Sequence, residues 1–185
     1  MRRQNDRYFT PEFATQELCK RVEIADRVLE CCAGDEAIAN VLRTVTERPV
    51  YCNDIVSSND RVMQYDVALE QNWEYMTQSV SGVDWVVTNP PFSVAPKIVP
   101  LAFKYARVGI AMLLRLSYLE PCESVAASRR GQWLIDNKSY FSNLIVLPRI
   151  SFTGDGKSDN VTCAWMVWRK DHLGAYNCTV DWVLK

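Results

Sequence analysis

The sequence lacks the features of membrane-spanning and secreted proteins. Within its 185 residues, no apolar run approaches the roughly 18 residues that a membrane-spanning helix requires. The segment from Met1 to Arg7 is polar and charged, unlike the apolar stretch of a signal peptide. Internal repeats, low-complexity segments and linker-like stretches are also missing. We therefore expect no association with a membrane and a single domain over residues 1–185, which at 48% hydrophobic residues can bury one core.

The chain also has little with which to bind a metal ion. His172 is the only histidine, and the seven cysteines show no metal-binding spacing. An odd number of scattered cysteines favours reduced thiols over a disulfide framework. These features predict a cytoplasmic protein with no metal site.

A large excess of charge is absent as well. The 21 basic and 22 acidic residues leave a net charge of −1, so no global field attracts nucleic acid. Basic residues do outnumber acidic ones between Arg129 and Lys170. This segment is interpreted either as a solvated surface of mixed charge or as a strip that faces phosphate groups.

The pattern of apolar residues predicts alternating helices and strands. A first helix is expected from Thr10-Pro11, because proline is favoured in the first helical turn. Further helices are predicted around residues 38–45, 96–106 and 123–134, and strands at 27–30, 50–55, 83–88, 108–114, 144–147 and 162–168. The first strand–helix–strand unit implies parallel pairing, whereas the loop 151–160 implies an antiparallel hairpin. The predicted fold is α/β: an open, mostly parallel Rossmann-like sheet with helices on both faces and an antiparallel hairpin at one edge.

The tetrapeptide Asn89-Pro90-Pro91-Phe92 is the most informative feature of the sequence. It follows the predicted strand 83–88, and its two prolines push Asn89 and Pro90 into an extended backbone. Because proline has no N–H, this edge offers hydrogen-bond acceptors, namely the Asn89 side-chain oxygen and the Pro90 carbonyl. Two acceptors beside an aromatic ring suit the planar amino group of a base stacked on Phe92. A tight loop is the simpler interpretation, since Asn-Pro is an ordinary turn dipeptide.

A second motif, Glu30 to Ala37, follows the first predicted strand and contains Gly34. Asp54 comes at the end of the second strand, about 20 residues further on, where nucleotide-binding βαβ units place an acid on the ribose hydroxyls. A helix cap or a solvated strand end is the alternative role for Asp54.

In this order the motifs resemble those of the S-adenosylmethionine-dependent amino-methyltransferases, the group that contains the adenine-N6 DNA methyltransferases. The resemblance covers most of the chain and implies the class I methyltransferase fold, with S-adenosylmethionine as cofactor. It implies catalytic roles for Asn89, Pro90, Pro91 and Phe92. The expected cofactor-binding residues are Tyr8, Thr10, Pro11, Glu30, Cys32, Ala33, Gly34, Asp54, Asp66 and Asn89. The expected substrate contacts are Phe92, Phe152 and Lys157.

The activity implied by this resemblance is methylation of the exocyclic N6 amino group of adenine in DNA. In double-stranded DNA, the target adenine would have to be flipped out of the base stack. The motifs use nearly the whole chain, so we expect no separate target-recognition domain. Sequence specificity is then low or very short, unless a partner specificity subunit supplies it. The alternatives are methylation of a base amino group in RNA and a non-catalytic methyltransferase-like binding module.

One residue departs from the family pattern. Glu36 stands where the glycine-rich loop usually has a second glycine. If the backbone there is left-handed, a residue other than glycine costs about 1–2 kcal/mol. Glu36 could also crowd or repel the carboxylate of the cofactor, and this keeps the non-catalytic alternative open.

Overall fold

The described part of the chain contains five α-helices, three short 3-10 helices and seven strands. The computed structural model describes residues 10–120, 125–150, 161–172 and 177–184, with backbone only for 125–128 and 172. The α-helices are α1 (Glu12–Cys19), α2 (Ala37–Leu42), α3 (Glu70–Ser79), α4 (Ala95–Tyr105) and α5 (Val125–Asp136), and short 3-10 helices span Leu116–Leu119, Lys138–Tyr140 and Lys170–His172. The strands are β1 (Val28–Glu30), β2 (Val50–Cys52), β3 (Val83–Thr88), β4 (Ala106–Arg115), β5 (Phe141–Val146), β6 (Cys163–Arg169) and β7 (Thr179–Trp182). No helix in these ranges is long and apolar enough to cross a membrane.

All seven strands form one sheet in the order β2-β1-β3-β4-β6-β5-β7. β1 is parallel to β2 and β3, and β3 is parallel to β4. β6 runs antiparallel to both of its neighbours, β4 and β5. The predicted mostly parallel sheet with an antiparallel pair is thus confirmed. The pair does not end the sheet, however, because β7 adds to β5 in parallel and forms the edge.

The side chains of the central strands alternate between two cores on opposite faces of the sheet. In β3, Trp85 and Val87 contribute to the core beneath α1 and α2, whereas Val86 contributes to the core beneath α3, α4 and α5. In β4, the run from Ile110 to Leu114 is buried and supplies both cores in turn. This burial on both faces explains why the β4 sequence is almost continuously apolar. Helices therefore cover both faces of the sheet, as the sequence predicts.

The four parallel strands bring the predicted functional segments to one edge of the sheet. Strand order reverses between β1 and β3, which are neighbours although β2 lies between them in sequence. Open α/β sheets bind ligands outside the carboxyl ends of their strands, at such a reversal point. Here that edge is formed by the segments that follow Glu30, Cys52, Thr88 and Arg115.

Candidate active site

The Asn89 side chain is held in one orientation at the end of β3. Its Nδ2 donates to the hydroxyl oxygen of Thr10, 3.1 Å away, and Thr10 is itself buried. The other atom of the amide, Oδ1, is buried and has no hydrogen-bond partner. A buried acceptor without a partner costs about 1–3 kcal/mol, which is tolerated where a ligand completes the bond.

The rest of the tetrapeptide forms the turn from β3 into α4. The Pro91 carbonyl accepts the N–H groups of Val94 and Ala95, both at 3.0 Å, and so starts the helix. Pro90 is buried, and its carbonyl takes no part in these two bonds. Phe92 is half-buried at the margin of both cores. The Asn89 amide, the Pro90 carbonyl and the Phe92 ring therefore lie within four consecutive residues that lead from β3 into the turn before α4.

The loop after β1 is tied to the ends of the two flanking strands. Three consecutive N–H groups of the loop donate to them: Cys32 to the Thr88 hydroxyl (3.2 Å), Ala33 to the Asn53 carbonyl (2.8 Å) and Gly34 to the Asp54 carboxylate (2.8 Å). Gly34 has a left-handed backbone with a φ of 55°, and a Cβ added there would meet no atom within 4 Å. The loop thus lies across the strand reversal point and leaves open space beside Gly34.

Asp54 anchors two segments at the end of β2. One carboxylate oxygen accepts the Gly34 N–H, and the other accepts the Val56 N–H at 3.1 Å. The residue is only 9% exposed, so the alternative of a solvated strand end does not describe it. A carboxylate accepts hydrogen bonds, which suits the hydroxyl groups of a ligand.

Glu30 is fully buried at the end of β1. One of its carboxylate oxygens accepts the Ala39 N–H of α2 at 2.8 Å. Burial raises the pKa of the Glu30 carboxyl well above its usual range, although the Ala39 N–H acts to lower it. Glu30 therefore fixes α2 on β1.

Asn53 is a site residue that the sequence analysis missed. It is completely buried, and its Nδ2 donates to the carbonyls of Cys31 and Tyr65, both at 3.0 Å. Its Oδ1 accepts the Tyr65 N–H at 2.9 Å. These bonds place Asp66, the next residue, close to the ends of β1 and β2. A polar amide within a predicted buried strand was the available signal.

Of the remaining predicted residues, two are among the described residues and three are not. Pro11 is half-buried and extended, and α1 begins one residue after it rather than at the proline itself. Asp66 Oδ1 accepts the Ala68 N–H at 2.9 Å, so this acid also serves as a turn residue. Tyr8, Phe152 and Lys157 lie outside the described residues.

Glu36 has the left-handed backbone that the family pattern reserves for glycine, with a φ of 63°. Its carboxylate accepts from the Arg43 guanidinium at 2.8 Å and from Asn59 Nδ2 at 2.6 Å. These contacts, that with Arg43 foremost, lower the pKa of the Glu36 carboxyl. The charge is therefore paired within the protein, and this pairing weakens any repulsion of a cofactor carboxylate.

We expect Glu36→Ala to lower the free energy of unfolding and Glu36→Gly to leave it close to that of the wild type. Both variants lose the ion pair and the Asn59 bond, together worth about 1–2 kcal/mol. Only glycine also relieves the left-handed strain of about 1–2 kcal/mol. Urea denaturation of the three proteins measures the difference. Equal stability of the alanine and glycine variants would show that the backbone at residue 36 is unstrained.

Several known structures with the same arrangement of strands and helices are those of methyltransferases. The type I restriction enzyme EcoKI M protein matches 97% of this chain with a TM-score of 0.66 at 13% identity, and the match covers 49% of that protein. A type I modification subunit from Vibrio vulnificus YJ016 matches 96% of the chain with a TM-score of 0.60 at 11% identity. A protein of Pyrococcus horikoshii assigned as an RNA methyltransferase matches 88% of the chain with a TM-score of 0.61 at 16% identity. This chain has the class I methyltransferase fold.

The sequence itself is far from these proteins. No protein-family model and no curated protein matches it. The chain spans about half the length of the two modification subunits, 47% and 49%, but 87% of the length of the Pyrococcus horikoshii protein. At identities of 11–16%, the likeness establishes the fold but not the reaction.

Proposed function

We propose that this protein transfers a methyl group from S-adenosylmethionine to the exocyclic N6 amino group of adenine in DNA. The observation that carries the proposal is the buried Oδ1 of Asn89, which has no partner in the protein. It lies in the same four-residue segment as the Pro90 carbonyl and the Phe92 ring. An amino group with two N–H bonds on a flat aromatic base matches two acceptors beside a ring.

The residues at the strand ends fit S-adenosylmethionine. The open space beside Gly34 and the loop N–H groups around it suit the methionine part, and Asp54 suits the ribose hydroxyls. The Asn53–Tyr65 bonds hold the neighbouring Asp66 near the strand ends, which supports its proposed role as acceptor of the adenine amino group of the cofactor. When bound, the cofactor supplies an electrophilic methyl group on a sulfonium.

The proposed role of the tetrapeptide is to make the target nitrogen a better nucleophile. The lone pair of an exocyclic amino nitrogen is delocalised into the base. Asn89 Oδ1 and the Pro90 carbonyl accept its two N–H bonds, which favours a tetrahedral nitrogen and stabilises the positive charge that develops in the transition state. Phe92 stacks on the base and fixes its plane. The bound cofactor would supply its methyl group to the nitrogen that Asn89 and the Pro90 carbonyl hold, with the sulfur as leaving group. The methylated ammonium then loses a proton to water.

RNA is the second candidate substrate, and one observation favours it. The match to the Pyrococcus horikoshii protein assigned as an RNA methyltransferase covers 87% of that protein, whereas the match to the EcoKI M protein covers 49%. In a duplex the target adenine would be flipped out at a cost of a few kcal/mol, and a single strand avoids this cost. A specificity subunit, if one binds, would supply recognition of a DNA site.

Transfer of tritiated methyl groups to unmethylated duplex DNA, total RNA and bulk protein, assayed in parallel, tests the proposal. We expect N6-methyladenine in the DNA, identified by mass spectrometry of the nucleosides. Label confined to RNA would change the substrate and keep the chemistry. Label confined to protein would contradict the assignment of a base.

The non-catalytic alternative rests on Glu36 and is tested separately by calorimetry with S-adenosylmethionine. Pairing of Glu36 with Arg43 and Asn59 leads us to expect measurable binding. Binding weaker than millimolar, together with no label in any substrate, would favour a methyltransferase-like module without activity.

A further inference from the structure

Arg115, the last residue of β4, lies against the aromatic ring of the proposed active site. Its guanidinium carbon is 4.6 Å from the centroid of the Phe92 ring. The Arg115 Nε is buried and has no hydrogen-bond partner. A buried guanidinium N–H without an acceptor is costly, and Arg115 thus presents an unused donor next to the ring on which the target base would stack.

Beyond β4, a second arginine lies over an aromatic ring, and this pair also has buried polar atoms without hydrogen-bond partners. The guanidinium carbon of Arg130 lies 5.5 Å from the centroid of the Tyr118 ring, and its Nη2 donates to the Glu120 carbonyl at 2.7 Å. The Arg130 Nε and the Tyr118 hydroxyl are both buried without a partner. Tyr118 is only 6% exposed, and burial raises the pKa of its phenol well above the usual value. The phenol therefore keeps its proton near pH 7.

The chain leads directly from one of these pairs to the other. Arg115 precedes the 3-10 helix Leu116–Leu119 and has an extended backbone, and Tyr118 lies within that helix. Tyr118 belongs to the core cluster against which Phe92 packs. Arg115, Tyr118 and Arg130 form what we call the arginine–tyrosine cluster.

We propose that the arginine–tyrosine cluster binds phosphate groups of the nucleic-acid strand that carries the target base. This inference rests on the proposed function and adds the residues that hold the strand. Guanidinium groups present planar forks of N–H donors that match phosphate oxygens. A guanidinium carries several N–H donors, so Arg115 can contact a phosphate oxygen while its guanidinium carbon stays over the Phe92 ring. The phosphodiester is common to DNA and RNA.

The other basic residues at the end of the chain do not supply this site. Arg169 is paired with Asp171, its Nη2 lying 2.6 Å from the carboxylate. Lys170 donates to the Ala106 carbonyl at the opposite, amino end of β4. Arg169 and Lys170 are thus engaged in contacts within the protein. Of the described arginines in the basic segment between Arg129 and Lys170, Arg130 is the one shown to contact the segment that follows β4.

The test is the salt dependence of binding to a short fluorescein-labelled single strand, followed by anisotropy between about 50 and 200 mM salt. For Arg115→Gln we expect the slope of log affinity against log salt to fall in magnitude by about 0.7, the effect of one lost phosphate contact on a single strand. Arg130→Gln should behave alike, whereas Arg115→Lys should keep most of the slope because it keeps the charge. The matched control is Arg107→Gln, at the other end of the same strand, which should leave the slope unchanged.

The outcomes separate this inference from the proposed function. DNA and RNA strands of one sequence are compared, and calorimetry with S-adenosylhomocysteine establishes that each variant is folded. Equal slopes for wild type, Arg115→Gln and Arg130→Gln overturn the phosphate site even if the wild type methylates adenine. If the slope falls only in these two variants and the wild type transfers no methyl group, the phosphate site is supported and the proposed reaction is excluded. A wild type that binds neither strand overturns the inference.

Discussion

Replacing Asn89 with alanine is expected to lower the rate constant of methyl transfer by about 100- to 1,000-fold, the usual effect of removing one preorganised polar group from an active site. The physical reason is that Asn89 Oδ1 is a buried acceptor with no partner in the protein, so its bond is made only to the substrate. Binding of S-adenosylhomocysteine should stay nearly intact, because the Gly34 loop and Asp54 remain in place. Single-turnover transfer of tritiated methyl groups and calorimetry measure the two effects.

Substitutions of Thr10 test the orientation of the Asn89 side chain in the same assay. The Thr10 hydroxyl oxygen accepts from Asn89 Nδ2 at 3.1 Å and thereby turns Oδ1 toward the site. Loss of one such bond is worth about 1 kcal/mol, so Thr10→Val should slow transfer roughly fivefold to tenfold, and Thr10→Ser should restore it. Near wild-type transfer by Asn89→Ala would exclude the mechanism. A parallel loss of cofactor binding would instead assign Asn89 to the cofactor.

The gathering of the motifs at one edge could be predicted from the sequence alone. The tetrapeptide at Asn89, the loop at Gly34 and the acid at Asp54 each follow a predicted strand. Parallel strands bring their carboxyl ends together, so local patterns suffice to predict a common site. The contact between Thr10 and Asn89 joins residues 79 positions apart, and no local pattern reports it.

Glu36 shows the limit of a motif taken residue by residue. The departure from the family pattern matters only if the backbone there is left-handed, and the φ of 63° fulfils that condition. The pattern could not reveal that Arg43 and Asn59 bind the carboxylate, because Asn59 lies on the loop after β2. Whether a non-glycine residue damages a loop depends on such tertiary partners.

The elements missing from the sequence prediction had weak hydrophobic signals. α3 buries Trp73 and Met76 within an otherwise polar segment, so its apolar stripe is narrow. β7 has four residues, and Thr179, Val180 and Trp182 are exposed. Strands are recognised by a buried face, and an exposed edge strand lacks one.

Replacing Asp54 with alanine is expected to raise the dissociation constant of S-adenosylhomocysteine by about 10- to 100-fold. Hydrogen bonds to a charged group contribute about 1.5–3 kcal/mol each, and 1.4 kcal/mol corresponds to a factor of ten. The variant loses the proposed ribose contacts and leaves the Gly34 and Val56 N–H groups without their acceptor. Asp66→Asn is the comparison variant, with a smaller expected effect because Asp66 Oδ1 also serves its own turn through Ala68. Isothermal calorimetry measures all three proteins.

A 2′-deoxy analogue of S-adenosylhomocysteine separates the two ways in which Asp54 can act. If the carboxylate binds the ribose diol, the wild type should prefer the parent ligand, and Asp54→Ala should lose most of that preference. If Asp54 acts only by fixing the loop through Gly34, both ligands should weaken by the same factor and the preference should persist. If Asp54→Ala leaves the dissociation constants of both ligands unchanged, Asp54 does not contact the cofactor. The ribose would then not lie at the end of β2.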